Sequence, residues 1–179
     1  HSQLMATTVP SLRAYDPAYA YEIAEILREG IQRMYVDHEE CMYYLTVGNE
    51  NYVQPPIPEG EGIREGIVRG IYPFRSMSPT GSPAGAPDGA PKVHLLGSGA
   101  ILNEVIQAQE LLATQFGVAS TVWSVTSYTE LRRDAIEVDR WNWLHPGEPA
   151  RVPFVVQQLT SEDGHPVIAA SDYLKALPD

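Results

Sequence analysis

Cysteine is almost missing from this 179-residue chain, and lysine is scarce. The lone Cys41 cannot close an intrachain disulfide, so nothing points to an oxidising compartment. Basic charge is short as well: 12 Lys and Arg face 23 Asp and Glu, a formal net charge of −11. Such a field repels phosphate backbones, and nucleic acid is excluded as an expected partner. No uninterrupted apolar run approaches the roughly 20 residues of a membrane span, and His1 to Ala14 lack the charged-then-apolar order of a secretory signal. No membrane partner is expected. What is present is an ordinary globular composition, 44% hydrophobic and 20% charged, long enough for one large domain or two small ones. The chain opens on His1 and stops on Leu177-Pro178-Asp179, where a helical pattern is starting, and reads as part of something larger.

Asp16-Pro17 is a helix-start signal, with Asp16 as N-cap and Pro17 at the first helical position. Beyond it Ala20, Ile23, Ala24, Leu27, Ile31 and Met34 recur at helical spacing as one apolar stripe. Residues 41–47 read as a short inner strand covered on both faces, closed by Gly48-Asn49-Glu50-Asn51. Pro55, Pro56 and Pro58 keep the next stretch extended. Residues 63–71 read as a helical turn running into a strand. The tract 76–91 is rich in Pro, Gly and Ser, has no side chains with which to build a core, and reads as a linker or long surface loop. After it, strands and helices alternate: a strand at 93–96, a turn at Gly97-Ser98-Gly99, a helix over 100–116 stopped by Gly117, and a strand over 118–125. A solvated helix over 128–139, strands at 152–159 and 167–170, and a last helix capped by Ser171 or Asp172 complete the pattern. This spacing implies parallel crossovers and an α/β sandwich.

Gly97-Ser98-Gly99 invites a dinucleotide-binding reading. The third glycine position is Leu102, however, and the next strand ends at Val122-Trp123-Ser124 with no carboxylate for a ribose, so a tight turn is the favoured reading. Ser98 lacks the Gly-x-Ser-x-Gly frame of a nucleophile elbow. His38-Glu39-Glu40-Cys41 are sequential neighbours that cannot converge on one tetrahedral ion; they read as a solvated turn before a buried thiol. His94, inside a strand, reads as a satisfied or edge histidine. Trp141-Asn142-Trp143-Leu144-His145-Pro146 reads first as core packing, second as a partner surface. The Asn49–Tyr52 segment lies just past a strand end, where α/β sheets place ligands.

Several segments appear in a telling order: Tyr15-Asp16-Pro17-Ala18-Tyr19-Ala20-Tyr21-Glu22, Asn49-Glu50-Asn51-Tyr52, Val93 through Leu102, Ser124 through Leu131, Arg140 through Pro146, and Ser171-Asp172-Tyr173. Together they resemble the homodimeric bacterial type of pyruvate dehydrogenase, the thiamine-diphosphate-dependent decarboxylating component of its multienzyme complex. The resemblance covers nearly the whole chain; the 76–91 tract departs from it as an enlarged loop. It implies a transketolase-like three-layer α/β sandwich. Residues 1–75 would be the C-terminal part of a pyrimidine-binding domain, 76–91 a loop or linker, and 92–179 the incomplete, mainly parallel C-terminal domain.

The same resemblance implies a cytoplasmic parent enzyme that decarboxylates pyruvate. It would reductively acetylate the lipoyl group of dihydrolipoamide acetyltransferase, working as a homodimer with thiamine diphosphate and Mg2+. The family's Gly-Asp-Gly…Asn-Asn motif for diphosphate and magnesium, and its activating glutamate, are not in these residues, so the piece alone is expected to be inactive. His1-Ser2 resemble the close of the family's His-x-Asp-Gly-His-Ser stretch. His1, Ser2, Asn49, Glu50, Asn51 and Tyr52 are expected near the active site, with no catalytic, cofactor-binding or metal-binding role assigned. Two other readings stand beside this one: a non-catalytic dimerisation or interaction module of the same fold, and a related enzyme for another 2-oxo acid or for ketol transfer.

Overall fold

A computed structural model describes residues 2–79, 91–159 and 164–178. The first part builds a small parallel sheet. Strand β1 (Leu12–Tyr15) follows helix α1 (Ser2–Ala6) and pairs with β2 (Met42–Leu45) in a register running from Leu12↔Met42 to Tyr15↔Leu45. Helix α2 (Ala20–Ile31), extended by a π-helical turn at Gln32–Val36, forms the crossover.

Helix α2 does not begin as the sequence suggests. Its N-cap is Tyr19, not Asp16, and Glu22 reaches back to accept the backbone N–H groups of Ala18 (2.5 Å) and Tyr19 (2.9 Å). That back-bonding satisfies donors which a helix start otherwise leaves orphaned. The buried face also differs. Leu27 and Ile31 of the expected stripe are 49% and 56% exposed, whereas Glu22, Glu25, Ile26 and Gly30 face inward. Glu25 is paired with Arg28 and Arg64, whereas Glu22 is held by neutral hydrogen-bond donors. Gly30 leaves room for the Tyr43 ring to lie against the helix. Strand β2 is correspondingly not an inner strand, because Met42 and Tyr44 are exposed on its outer face.

The second sheet has the order β3-β5-β4-β6, formed by β3 (Tyr72–Met77), β4 (Lys92–Gly97), β5 (Ala119–Ser124) and β6 (Val167–Ala170). Strand β4 runs parallel to β5 and β6, and β3 is antiparallel to β5. Ser76 and Met77, read from composition as the start of the loop, close β3, with Ser76 hydroxyl-bonded to Thr121 at 3.1 Å. Within that tract, residues 80–90 lie outside the described residues.

Helix α3 (Ile63–Arg69) precedes β3. Helix α4 (Ile101–Phe116) covers one face of the sheet through Leu102 and Val105, and ends at left-handed Gly117 (φ 64°). The other face packs Leu96, Trp123 and Val125 against Leu131 of α5 (Tyr128–Leu144) and Phe154 of α6 (Phe154–Leu159). Helix, sheet and helices make three layers.

Helix α5 is capped by the Ser127 hydroxyl, which accepts the Glu130 N–H, and it continues to Leu144 rather than Asp139. The stretch expected as a strand at 152–159 is instead α6. Its Phe154 N–H donates to Asp134 Oδ2 (2.6 Å), and the Arg69 guanidinium lies 3.8 Å over the Phe154 ring. This tertiary anchoring outweighs the strand preference of Val155 and Val156. No last helix forms among the described residues. Ser171 Oγ accepts the Tyr173 N–H (3.0 Å), and one turn is closed by Leu177 N–H on the Leu174 carbonyl (2.9 Å).

Candidate functional site

The carboxyl ends of β1, β2, β4 and β5 meet around Asp16. Its N–H donates to the Thr126 carbonyl just beyond β5 (2.7 Å), and its own carbonyl accepts the Gly99 N–H just beyond β4 (3.0 Å). Crevices outside the carboxyl ends of parallel strands are where α/β folds hold ligands.

Thr46, the residue after β2, is the hub. Its hydroxyl donates to Asp16 Oδ1 at 2.6 Å and accepts from Gln3 Nε2 (3.2 Å) and from the Tyr173 hydroxyl (3.0 Å). Both lone pairs are thereby used, and the Tyr15 carbonyl, 3.2 Å away, is a second acceptor for the hydroxyl's one proton. Gln3, only 2% exposed, spends its other N–H on the Tyr15 carbonyl (2.9 Å). Burial raises the Asp16 carboxyl above its ordinary range, while the hydroxyls of Thr46, Ser98 and Tyr173 pull it down and Asp172 pushes it up again. Tyr173 is raised too, first by burial.

The hub connects two segments singled out from sequence. Ser2 opens α1, one residue before Gln3; its side chain is exposed. Asn49, Glu50 and Asn51 are exposed in the loop that leaves Thr46, and Tyr52 closes that loop with its hydroxyl on the Ala18 carbonyl (2.5 Å). Burial raises the Tyr52 phenol, helped by the charges of Glu22, Asp16 and Glu50. His1 lies outside the described residues. Gln3, Thr46 and Tyr173 were not legible as site residues, because their contacts span 43 and 127 positions. The only sequence signal was the placement of Thr46 at a strand end.

The other candidates resolve differently. At the Gly97-Ser98-Gly99 turn, Gly99 has φ 51°, and a Cβ there would meet Asp16 Oδ2 at 2.8 Å. The chain's own carboxylate thus packs where a pyrophosphate would approach, and the tight-turn reading stands. Glu39 pairs with Arg33 and Arg13, and Cys41 is half-buried rather than buried. His94 Nδ1 accepts the Trp123 indole N–H (3.0 Å); burial, then His165, lowers its pKa. Of the aromatic segment, Trp143 is 85% exposed, so core packing is not its role. Trp141 stacks on His145 with ring centroids 4.4 Å apart and carries the Arg151 guanidinium 3.7 Å over its ring.

Tyr173 also lines a cavity of about 790 Å3, together with Leu96, Tyr128, Arg132 and Leu159. Among the described residues that lining is mainly apolar and includes no carboxylate. Among the described residues no group of three or more His, Cys, Asp or Glu could hold a metal ion. With the glycine turn filled by Asp16, the described residues around it do not fit a diphosphate–magnesium pair. No described helix is long and apolar enough to cross a membrane.

Comparison with known proteins places this geometry. Residues 1–55 match the family model of the pyruvate dehydrogenase E1 component middle domain, and residues 80–179 that of the transketolase-like TK C-terminal domain. The chain is 47% identical over 175 residues to the pyruvate dehydrogenase E1 component of Pseudomonas aeruginosa, covering 98% of this chain and 19% of that protein. Against the protein of the same name from Escherichia coli it is 46% identical over 176 residues, covering 98% and 18%. The chain therefore spans about a fifth of the length of the curated relatives it matches. Among solved structures, the transketolase of Leishmania mexicana superposes with a TM-score of 0.57 at 13% identity, covering 96% of this chain and 20% of that one. A Pichia stipitis transketolase mutant gives a TM-score of 0.55 at 15% identity, covering 93% and 19%. The sheet order, the three layers and these matches agree: over residues 80–179 the chain belongs to the transketolase-like TK C-terminal domain family, it has the transketolase-like fold, and along nearly its whole length it is similar to pyruvate dehydrogenase E1 components.

Proposed function

We propose that this chain is part of a thiamine-diphosphate-dependent pyruvate dehydrogenase subunit. The parent decarboxylates pyruvate and passes the two-carbon unit to the lipoyl group of dihydrolipoamide acetyltransferase, acting with Mg2+ as a cytoplasmic homodimer. Residues 1–75 are assigned to the pyrimidine-binding domain and 92–179 to the C-terminal domain, with β3 straddling the boundary. The observation that carries this reading is the Thr46 hub, which ties the segment opening at Ser2 to the root of the Asn49–Tyr52 loop at the carboxyl ends of the strands. In this reading Ser2, Asn49, Glu50, Asn51 and Tyr52 form part of an active-site rim, and His1 belongs with them. The groups that hold diphosphate and metal are supplied by other parts of the parent. Identity near one half to E1 components favours pyruvate over ketol transfer, since the transketolase likeness at 13–15% identity concerns fold alone.

The test is an assay of the longer protein that contains this chain. Carbon dioxide release and lipoyl acetylation are measured against a panel of 2-oxo acids, and pyruvate should exceed bulkier 2-oxo acids by about tenfold or more in kcat/KM. Absence of 2-oxo acid decarboxylation, or ketol transfer in its place, overturns the reading. For the 179-residue chain itself, calorimetric titration with thiamine diphosphate and Mg2+ should show no saturable heat. A micromolar isotherm would contradict the assignment of those groups to other parts of the parent.

A further inference from the structure

We infer that Thr46 and Tyr173 are positioning residues for the Asn49–Tyr52 loop, the second reaching it from the far end of the chain. The functional meaning of that loop rests on the reading above; the anchoring rests on geometry alone. Residues 47–51 make no hydrogen bond to any described residue, so among the described residues the hydrogen bonds that hold the loop are at its two ends. At the far end, the Tyr52 hydroxyl binds the Ala18 carbonyl and Gln54 Oε1 accepts the Ala20 N–H (3.0 Å). At the near end, the Thr46 N–H donates to the Tyr15 carbonyl (3.0 Å), and its side chain is the hub.

Each end therefore returns to the Tyr15–Ala20 segment, and the loop is a staple across it. Tyr173 makes the near anchor depend on the second sheet. Its phenol donates to Thr46 Oγ1 (3.0 Å) and lies 3.3 Å from Asp16 Oδ1, although it sits 127 positions beyond Thr46. Gln3 makes the same anchor depend on α1. The Thr46 hydroxyl is engaged by Asp16, by the Tyr15 carbonyl (3.2 Å), by Gln3 and by Tyr173, so the chain direction leaving Thr46 is set by groups from three parts of the molecule. Side chains that merely fill space at position 46 or 173 would not do this.

The test uses the 179-residue chain, 15N-labelled, in four forms: native, Thr46→Val, Thr46→Ser and Tyr173→Phe. Exchange of the Thr46 amide and backbone order parameters over residues 47–51 are read by NMR. Thr46→Val and Tyr173→Phe should each speed exchange of the residue-46 amide about tenfold and bring the loop order parameters below about 0.6. Thr46→Ser, which keeps the hydroxyl, should behave as native. Tyr173→Phe keeps the ring and removes one oxygen, so it carries the test if Thr46→Val fails to fold. Unchanged loop dynamics in Tyr173→Phe, or loosening in Thr46→Ser equal to that in Thr46→Val, overturns the inference. No substrate or cofactor enters these measurements, so their failure is distinct from a failed pyruvate assay.

Discussion

At the scale of single residues, the fully buried Glu22 and the half-buried Asp16 do different work. Glu22 is fully buried and accepts four hydrogen bonds: from the Ala18 and Tyr19 N–H groups, from Tyr72 (2.5 Å) and from Ser124 (2.6 Å). Burial raises its pKa against the pull of those donors. Replacing it with Gln turns an NH2 toward two of the donors, and Glu22→Gln should cost roughly 3 kcal/mol in urea unfolding. A loss below about 0.5 kcal/mol would show that the four donors do not hold the carboxylate. Asp16 gives a pH dependence. Its pKa is raised in the folded chain, chiefly by burial, so the native state retains a proton that the unfolded state has released. That contribution is full below the unfolded value of about 3.9 and is lost as pH rises through the folded value. Asp16→Asn lacks the loss. Its urea midpoint, relative to native, should therefore climb from about pH 4 upward; a constant or falling difference refutes the sign. Sequence named Asp16 in the wrong role, as a helix cap, and gave no sign of the four donors that converge on Glu22. Their actual partners come from loops and strands far along the chain.

At the scale of elements, legibility followed locality. Helix α4 and strands β4, β5 and β6 sit close to where period and turn signals put them, because Gly97-Ser98-Gly99 and Gly117 set limits that need only neighbours. Helix α6 was misread as a strand because its anchor, Asp134, lies 20 positions away. The exposure of Met42 and the burial of Glu25 are equally products of what packs alongside. The junction of α3 with β3 shows how tight such packing is. A Cβ on Gly66 would meet the Ile71 carbonyl oxygen at 2.6 Å and Tyr72 Cβ at 2.7 Å, whereas one on Gly117 meets nothing within 4 Å. Gly66→Ala should therefore cost about 2–3 kcal/mol by overpacking. Gly117→Ala should cost only about 1 kcal/mol, for its left-handed backbone. Urea midpoints of the two variants decide the matter, and equal losses would mean that backbone strain, not the close approach, is the dominant constraint.

At the scale of the whole molecule, composition suggested a boundary inside the 76–91 tract, yet the two sides of it are bonded through their interiors. Glu22 of α2 accepts from Ser124 of β5, Asp16 donates to Thr126, and Ser127 and Thr129 both donate to the Ala14 carbonyl (2.6 and 2.8 Å). The Arg13 guanidinium pairs with Glu130 of α5 at 2.7 Å. These groups are mostly buried, so separating the halves would expose a carboxylate and several backbone groups without their partners. One cooperative unit is the expected consequence, and the aromatic distribution allows it to be seen from both sides. Trp123, Trp141 and Trp143 all lie in the second half, whereas eight of the ten tyrosines lie at or before position 72. Tryptophan fluorescence and the 19F resonances of fluorotyrosine at the early positions should give the same urea midpoint. Glu22→Gln, which cuts the link to β5, should lower both midpoints together. A tyrosine transition preceding the tryptophan one would instead mean that the small parallel sheet unfolds on its own, and that the interior hydrogen bonds between the halves add little to the stability of either.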